Sequence, residues 1–373
     1  MHYIQGIGMT KFSIEDKNTM DFAQEAIKLA LDDSGLSIND LDAVVVSNTD
    51  SRINGERQRH FNSFLSSFFR KNMPIIRVPA VCGGGGAALW SALRTDYDNV
   101  LVLGADKIAT NTSQNVTDQI LEAADKTYEQ DEGMIFPAQN ALVAQQHFLK
   151  YNSNEDDLAL IALKNHEHAF LNPKAMFYKK NITLEKIKSS PIVASPLRLF
   201  DCSISVNGAA ACIIGKKKSN VKISGSGLSV DYMTTFERKD MITWNATKKA
   251  AEDAYKQANV KPKDIDVAEL HDAFTIVELI SYEDLGFAEK GKGQELIRNG
   301  TVKLDGKMPI NTSGGLKAKG HPISATGIGQ IVEITEQLRG ECKERQVSNA
   351  KIGLTQNIGG AGGSVIVNVL KSS

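Results

Sequence analysis

Cysteine is scarce in this chain. Four occur in 373 residues, none in a Cys-x-x-Cys pair or at metal-ligand spacing, so neither a disulfide framework nor structural zinc is expected. An excess of one charge is missing too: 43 Lys and Arg face 44 Asp and Glu, mixed along the chain. The net charge of −1 leaves no electrostatic footprint for nucleic acid or an anionic membrane. No apolar run approaches membrane-spanning length, and strand-like Tyr3 to Gly8 follows Met1 so closely that no secretory leader is expected. A soluble, cytoplasmic protein is the expectation. With 42% apolar and 23% charged residues, the composition argues against disorder, and the length allows two or more domains around a substantial core.

What is present begins with a histidine in a glycine-lined turn. His321 lies in Asn311 to Gly327, NTSGGLKAKGHPISATG, with Pro322 where a first-turn proline is tolerated and apolar residues at helical spacing from Ile323 to Leu338. Far upstream, Cys82 follows the apolar run Ile75 to Val81 and precedes four glycines, Gly83 to Gly86, and the helical stretch Ala87 to Leu93. A helix amino terminus stabilises a thiolate through unpaired N–H groups and the helix dipole, and the glycines would let a bulky ligand approach the backbone. An acyl-accepting nucleophile is one reading of Cys82, a small buried apolar residue the other. A helix–turn–strand unit also repeats: Phe22 to Ala30 with Ile38 to Val46 matches Ala246 to Ala254 with Pro262 to Leu270. Ala26 and Ala250, Ala30 and Ala254, Asp40 and Asp264, Asp42 and Asp266 stand at one constant separation. Duplicated halves explain this economically; chance alignment of common α/β segments is the alternative. Strands alternating with helices predict largely parallel sheets, with active groups gathered at strand carboxyl ends.

Gly320-His321-Pro322-x-x-Ala325-Thr326-Gly327, preceded far upstream by the strand–Cys82–helix junction, resembles the thiolases. The match runs almost end to end. Asn172-Pro173-x-Ala175, Lys180-x-Ile182-Thr183, Pro196 to Cys202 and His271-Asp272-Ala273-Phe274 are similar to the archaeal and sterol-carrier-protein branch of that family. The resemblance implies an α/β thiolase fold, with two pseudo-symmetric βαβαβ-type halves in a five-layer αβαβα arrangement and an inserted loop domain over the cleft. The domains expected are 1–109 as the first part of the N-terminal half, 110–195 as the insertion, 196–220 as return strands, and 221–373 as the C-terminal half.

The activity implied is that of an acetyl-CoA C-acetyltransferase, interconverting two acetyl-CoA with acetoacetyl-CoA and CoA through an acetyl-Cys82 intermediate. Coenzyme A thioesters are then substrates, and no separate cofactor is expected. His321 is expected to bind the thioester oxygen and support Cys82, and His271 to hold water or oxygen and move protons. Thr355 to Gly363 aligns with the family's Cys-x-Gly-Gly-Gly element, but the position of its proton-shuttling cysteine is Asn357. Asn357 is left a positioning role, Gly359 that of an oxyanion donor beside the Cys82 amide, and His271, aided by His321, the proton transfers. Ser324, where glycine is usual, is expected to add a side chain near the cleft. A homodimer or homotetramer, and a complex with hydroxymethylglutaryl-CoA synthase through a small zinc-ribbon protein, follow from the same resemblance.

Other readings stay open. Gly83-x-Gly85-x-x-Ala88 with Asp106 beyond the next strand fits a dinucleotide fingerprint, which would make the chain an NAD(P)-dependent oxidoreductase. A thiolase-like aldolase and a noncatalytic acyl-CoA-binding scaffold are further alternatives. Cys202, Asn207 and Asp272 read as structural and Cys212 as buried. Cys342 reads as solvent-facing, and His166 and His168 as residues of a solvated helix.

Overall fold

A computed structural model describes residues 1–49, 55–56, 58–109 and 113–373, with the side chains of residues 113 and 114 outside the description. The boundary expected at residue 110 lies outside the described residues. The N-terminal half runs β1 (His2–Met9), α1 (Thr19–Ser34), β2 (Ala43–Ser47), α2 (Phe61–Phe69), β3 (Ile75–Arg77), α3 (Gly84–Ala92) and β4 (Asn99–Asp106). After these come α4 (Ser113–Leu121), α5 (Phe136–Lys150), α6 (Glu155–Phe170), α7 (Leu184–Lys188) and the hairpin β5 (Ile192–Ala194) and β6 (Leu197–Arg198). The chain returns through β7 (Gly208–Gly215). It continues as β8 (Val221–Val230), α8 (Asn245–Ala258), β9 (Val267–Glu269), α9 (Thr275–Asp284), α10 (Gly293–Arg298), α11 (Ala325–Arg339), β10 (Ile352–Gly359) and β11 (Ser364–Ser372).

The sheet order β3-β2-β4-β7-β1 in one half is answered by β9-β10-β11-β8 in the other, with Ile310 bridged to Ala268 where the counterpart of β3 would stand. The halves join edge to edge where His2 and Tyr3 pair with Ile223 and Lys222. Helices α3 and α11 lie between the two sheets, while α1 and α8 cover the outer faces, which makes five layers. The sheets are mixed rather than largely parallel. β2 runs parallel to β3 and β4, and β9 to β10, but β7 is antiparallel to β1 and β4, and β11 to β8 and β10. The turn from β10 to β11 is too short for the crossover that parallel neighbours need. No helix among the described residues is long and apolar enough to cross a membrane.

The repeated residues do the same work twice. A Cβ placed on Gly8 or Gly6 of β1 would sit 2.3 Å from the carbonyl of Ala26 or Ala30, and one on Gly227 or Gly225 of β8 would sit 2.0 or 2.1 Å from that of Ala250 or Ala254. Each thin alanine face therefore lies directly on strand backbone. The Asp40 and Asp264 carboxylates accept from the backbone N–H of Ser37 and Lys261, closing one turn. Asp42 accepts from the Asp98 and Asn99 amides at the head of β4, and Asp266 from those of Lys351 and Ile352 at the head of β10.

Helix α6, expected to be solvated, is buried along most of its length. Lys164 and Glu278 form a fully buried ion pair at 2.6 Å, and Asn165 donates to both Glu278 and Asp272. That polar seam holds α6 against α9 and the Gly315–Lys319 turn.

Candidate active site

A single turn, Val81–Gly83, carries Cys82 from β3 into α3. Val81 adopts φ +48°, a left-handed conformation that a β-branched residue takes only under constraint. Burial outweighs the helix terminus here. The Cys82 thiol is pushed up to about 12, chiefly by desolvation and further by the Asp106 carboxylate, against the smaller opposing effect of the Gly360 and Cys82 backbone amides. The residue retains some surface, but protein encloses its sulfur on most sides.

The four glycines admit protein rather than ligand. A Cβ on Gly85 would meet the Ser324 carbonyl at 2.6 Å, one on Gly84 the Ser47 hydroxyl at 2.1 Å, and one on Gly86 the Asn357 amide oxygen at 3.0 Å. Helix α11 and strand β10 thus occupy the space a pyrophosphate would need. Asp106 is buried and accepts from the Thr49 N–H and hydroxyl and from the Ser324 N–H, at 2.6 to 2.7 Å. Both halves of the dinucleotide fingerprint therefore have structural employment.

His271 ends the strand segment after β9 and His321 precedes α11, so the two arrive from different parts of the C-terminal half while Cys82 comes from the N-terminal half. Their rings stand perpendicular with centroids 5.4 Å apart. Burial, with the nearby His321, holds His271 well below the usual imidazole range, and burial brings His321 down to about 4. Both are neutral near pH 7. The Asn357 amide orientation follows from its backbone partners: its oxygen accepts from the Gly86 N–H at 3.0 Å and its nitrogen donates to the Cys82 carbonyl at 2.9 Å. The same nitrogen lies 3.4 Å from Nδ1 of His271. An amide NH₂ only donates, so Nδ1 is the acceptor and neutral His271 carries its proton on Nε2. His321 is braced through Nδ1 by the Thr326 hydroxyl at 2.6 Å.

Cys82, His271 and His321 share the wall of one cavity of about 700 Å³, together with Gly360 and Ala361. Asn357 and Gly359 stand behind that wall: Asn357 is 1% exposed, and Gly359 packs over Ala80 and Gly83. The amide that reaches the sulfur is that of Gly360. Ser324 is also behind the wall, its place taken by Ile323. The helices after β4 contribute Val116, Ile120, Phe136 and Pro137.

Three wall residues escaped the sequence reading. His166 is buried in α6, Cys202 lines the cavity while its backbone bridges Phe274, and Lys317 is 1% exposed. The two-residue spacing of His166 and His168 suggested a solvated helix only because the covering Phe177, Phe200 and Gly315–Lys319 turn are remote in sequence. Cys342 is likewise buried rather than solvent-facing, against Glu333. His168 is tied to the Asn311 carbonyl at 3.0 Å.

This geometry brings a cysteine from the N-terminal half and two histidines from the C-terminal half onto one cavity. A family model described as Thiolase, N-terminal domain matches residues 4–196, and one described as Thiolase C-terminal domain-like matches residues 227–372. An acetyl-CoA acetyltransferase of Methanothermobacter thermautotrophicus is 38% identical, over 98% of this chain and 97% of its own. One from Methanocaldococcus jannaschii is 35% identical over 98% of each chain. Sterol carrier protein 2 of Gallus gallus is 35% identical over 98% of this chain and 71% of its own length. A solved structure, the Ltp2-ChsH2(DUF35) aldolase, matches with a TM-score of 0.85 at 24% identity, covering 100% of this chain and 97% of that one, which bears on the fold. The chain belongs to the thiolase family.

Proposed function

We propose that the chain is an acetyl-CoA C-acetyltransferase that condenses two acetyl-CoA into acetoacetyl-CoA and CoA, and runs the same reaction backward as thiolysis. The observation that carries this reading is the convergence of Cys82, His271 and His321 on one cavity. In this reading Nδ1–H of His321 is donated to the Thr326 hydroxyl, which leaves Nε2 as the bare nitrogen that takes the Cys82 proton as sulfur attacks the thioester carbon. Because the thiol sits so high, attack and proton transfer are concerted rather than routed through a standing thiolate. The proton leaves on the CoA sulfur, and acetyl-Cys82 remains.

His321 then removes a proton from the methyl of the second acetyl-CoA while Nε2–H of His271 holds its thioester oxygen. The carbanion attacks the acetyl-Cys82 carbonyl, whose oxyanion faces the backbone amides of Cys82 and Gly360. Collapse releases acetoacetyl-CoA, and Cys82 recovers its proton from His321. The Asn357 contact favours His321 over His271 as the proton carrier, with His271 the electrophilic partner. A cytoplasmic location, a homodimer or homotetramer, and association with hydroxymethylglutaryl-CoA synthase through a small zinc-ribbon protein accompany this reading by family analogy.

Intact-protein mass spectrometry after mixing with acetyl-CoA tests it: one acetyl group should appear on Cys82 and be absent from Cys82→Ala. A protein that binds acetyl-CoA without acetylation would instead be an acyl-CoA-binding scaffold. That second reading is favoured by Asn357, whose amide carries no transferable proton.

A further inference from the structure

His166, Lys317 and Cys202 are among the polar side chains on the cavity wall that take no part in the chemistry above. Nδ1 of His166 lies 2.8 Å from the Ala162 carbonyl, which can only accept, so Nδ1 holds the hydrogen and Nε2 is left a bare lone pair. That nitrogen is buried and has no partner among the described residues. Phe177 and Phe200 stand edge-on to the ring at 4.7 and 5.2 Å, fixing its orientation. Lys317 donates one hydrogen bond, 2.6 Å to the Asp201 carbonyl, and has no carboxylate within 4.0 Å among the described residues; Asp272 and Asp201 balance its charge from farther away. His166, Cys202 and Lys317 all line the same cavity.

A fixed acceptor and an ammonium with N–H groups to spare therefore line one cavity, much of whose remaining wall is apolar, as at Phe136 and Trp244. An acetyl group fills a small part of that volume. A hydroxyl satisfies both polar partners, accepting from Lys317 and donating to His166. A carboxylate would satisfy Lys317 but set a lone pair against Nε2, and an alkyl chain would satisfy neither.

We propose that this wall is a subsite for a hydroxyl on the acyl chain, so that the enzyme takes hydroxylated acyl-CoA thioesters in preference to plain ones. The inference rests on the thiolase reading of the same cavity and extends its substrate class. The rate of Cys82 acylation, followed by intact mass, is compared for hexanoyl-CoA and its 4-, 5- and 6-hydroxy derivatives. One hydroxy isomer should be favoured about tenfold, the discrimination expected when a buried hydrogen-bonding pair is left unmet by the plain analogue. His166→Phe, which keeps an aromatic ring between Phe177 and Phe200 but removes the lone pair, should bring the ratio to about one, and Lys317→Met should lower it. Acylation at equal rates by all four thioesters, or a preference unchanged in His166→Phe, overturns the subsite while leaving the thiolase reading intact. Failure of all four to acylate Cys82 while acetyl-CoA still does so overturns the subsite alone, and failure of acetyl-CoA as well overturns both.

Discussion

Asn357→Ala separates the positioning role of this side chain from catalysis proper. The substitution removes two good hydrogen bonds, at 2.9 and 3.0 Å, and strands the Cys82 carbonyl and the Gly86 N–H in a region 1% exposed at this residue. A buried polar group left without its partner costs about 1–3 kcal/mol, so the pair predicts a loss of about 2–6 kcal/mol. For a chain of this length, an unfolding entropy of about 2 cal/mol/K per residue turns that into a fall in Tm of about 3–8 °C. The third contact, to Nδ1 of His271, matters for function. Without it the ring is free to carry its proton on Nδ1, and Nε2 no longer reliably donates to the thioester oxygen. Condensation should then fall by tenfold or more, on the order of one hydrogen bond to developing charge, while acetylation of Cys82 falls less. Nitrogen-15 shifts of labelled histidine should report an Nε2–H tautomer for His271 in the parent and a mixture in the variant. An Nδ1–H tautomer in the parent, or a variant with unchanged Tm and condensation rate, would refute the assignment.

Because burial holds the Cys82 thiol at about 12, its alkylation by iodoacetamide should rise about tenfold per pH unit from 7 to 10; a rise that levels off above about pH 9 would show a thiol of ordinary acidity. His321 titrates at about 4 in the folded state against about 6.5 for a free imidazole. Its contribution to stability is thus fully present above pH 6.5 and is lost as pH falls toward 4. His321→Gln should flatten that part of a urea-midpoint curve, and an unaltered acid slope would contradict the shift. Gly85→Ala should cost about 1–3 kcal/mol as α3 and α11 are forced apart, measurable by urea denaturation, whereas a glycine kept open for a ligand would tolerate the methyl.

Local pattern made much of this molecule legible before folding. The alanine faces of α1 and α8, the matched aspartates and the strand–Cys82–helix junction are readable because each shows as a short local pattern of residues, even where its partners lie farther along the chain. The mixed strand directions were not, since helix and strand periodicity says nothing about which strand returns beside which. Nor was the burial of His166, Lys317 and Cys342, whose covering residues come from distant segments. The glycines after Cys82 illustrate the difference: their number was plain, yet only the arrival of Ser324 and Asn357 decides that they admit helix and strand backbone rather than phosphate.

The chain's own order of residues determined a duplicated α/β architecture and singled out the cysteine and two histidines that meet in one cavity, because periodicity, turns and spacing are local properties. Tertiary structure alone decided their protonation, tautomers and surroundings. Those depend on desolvation and on partners brought together from hundreds of residues apart, as when Asn357 reaches Cys82 and His271 at once.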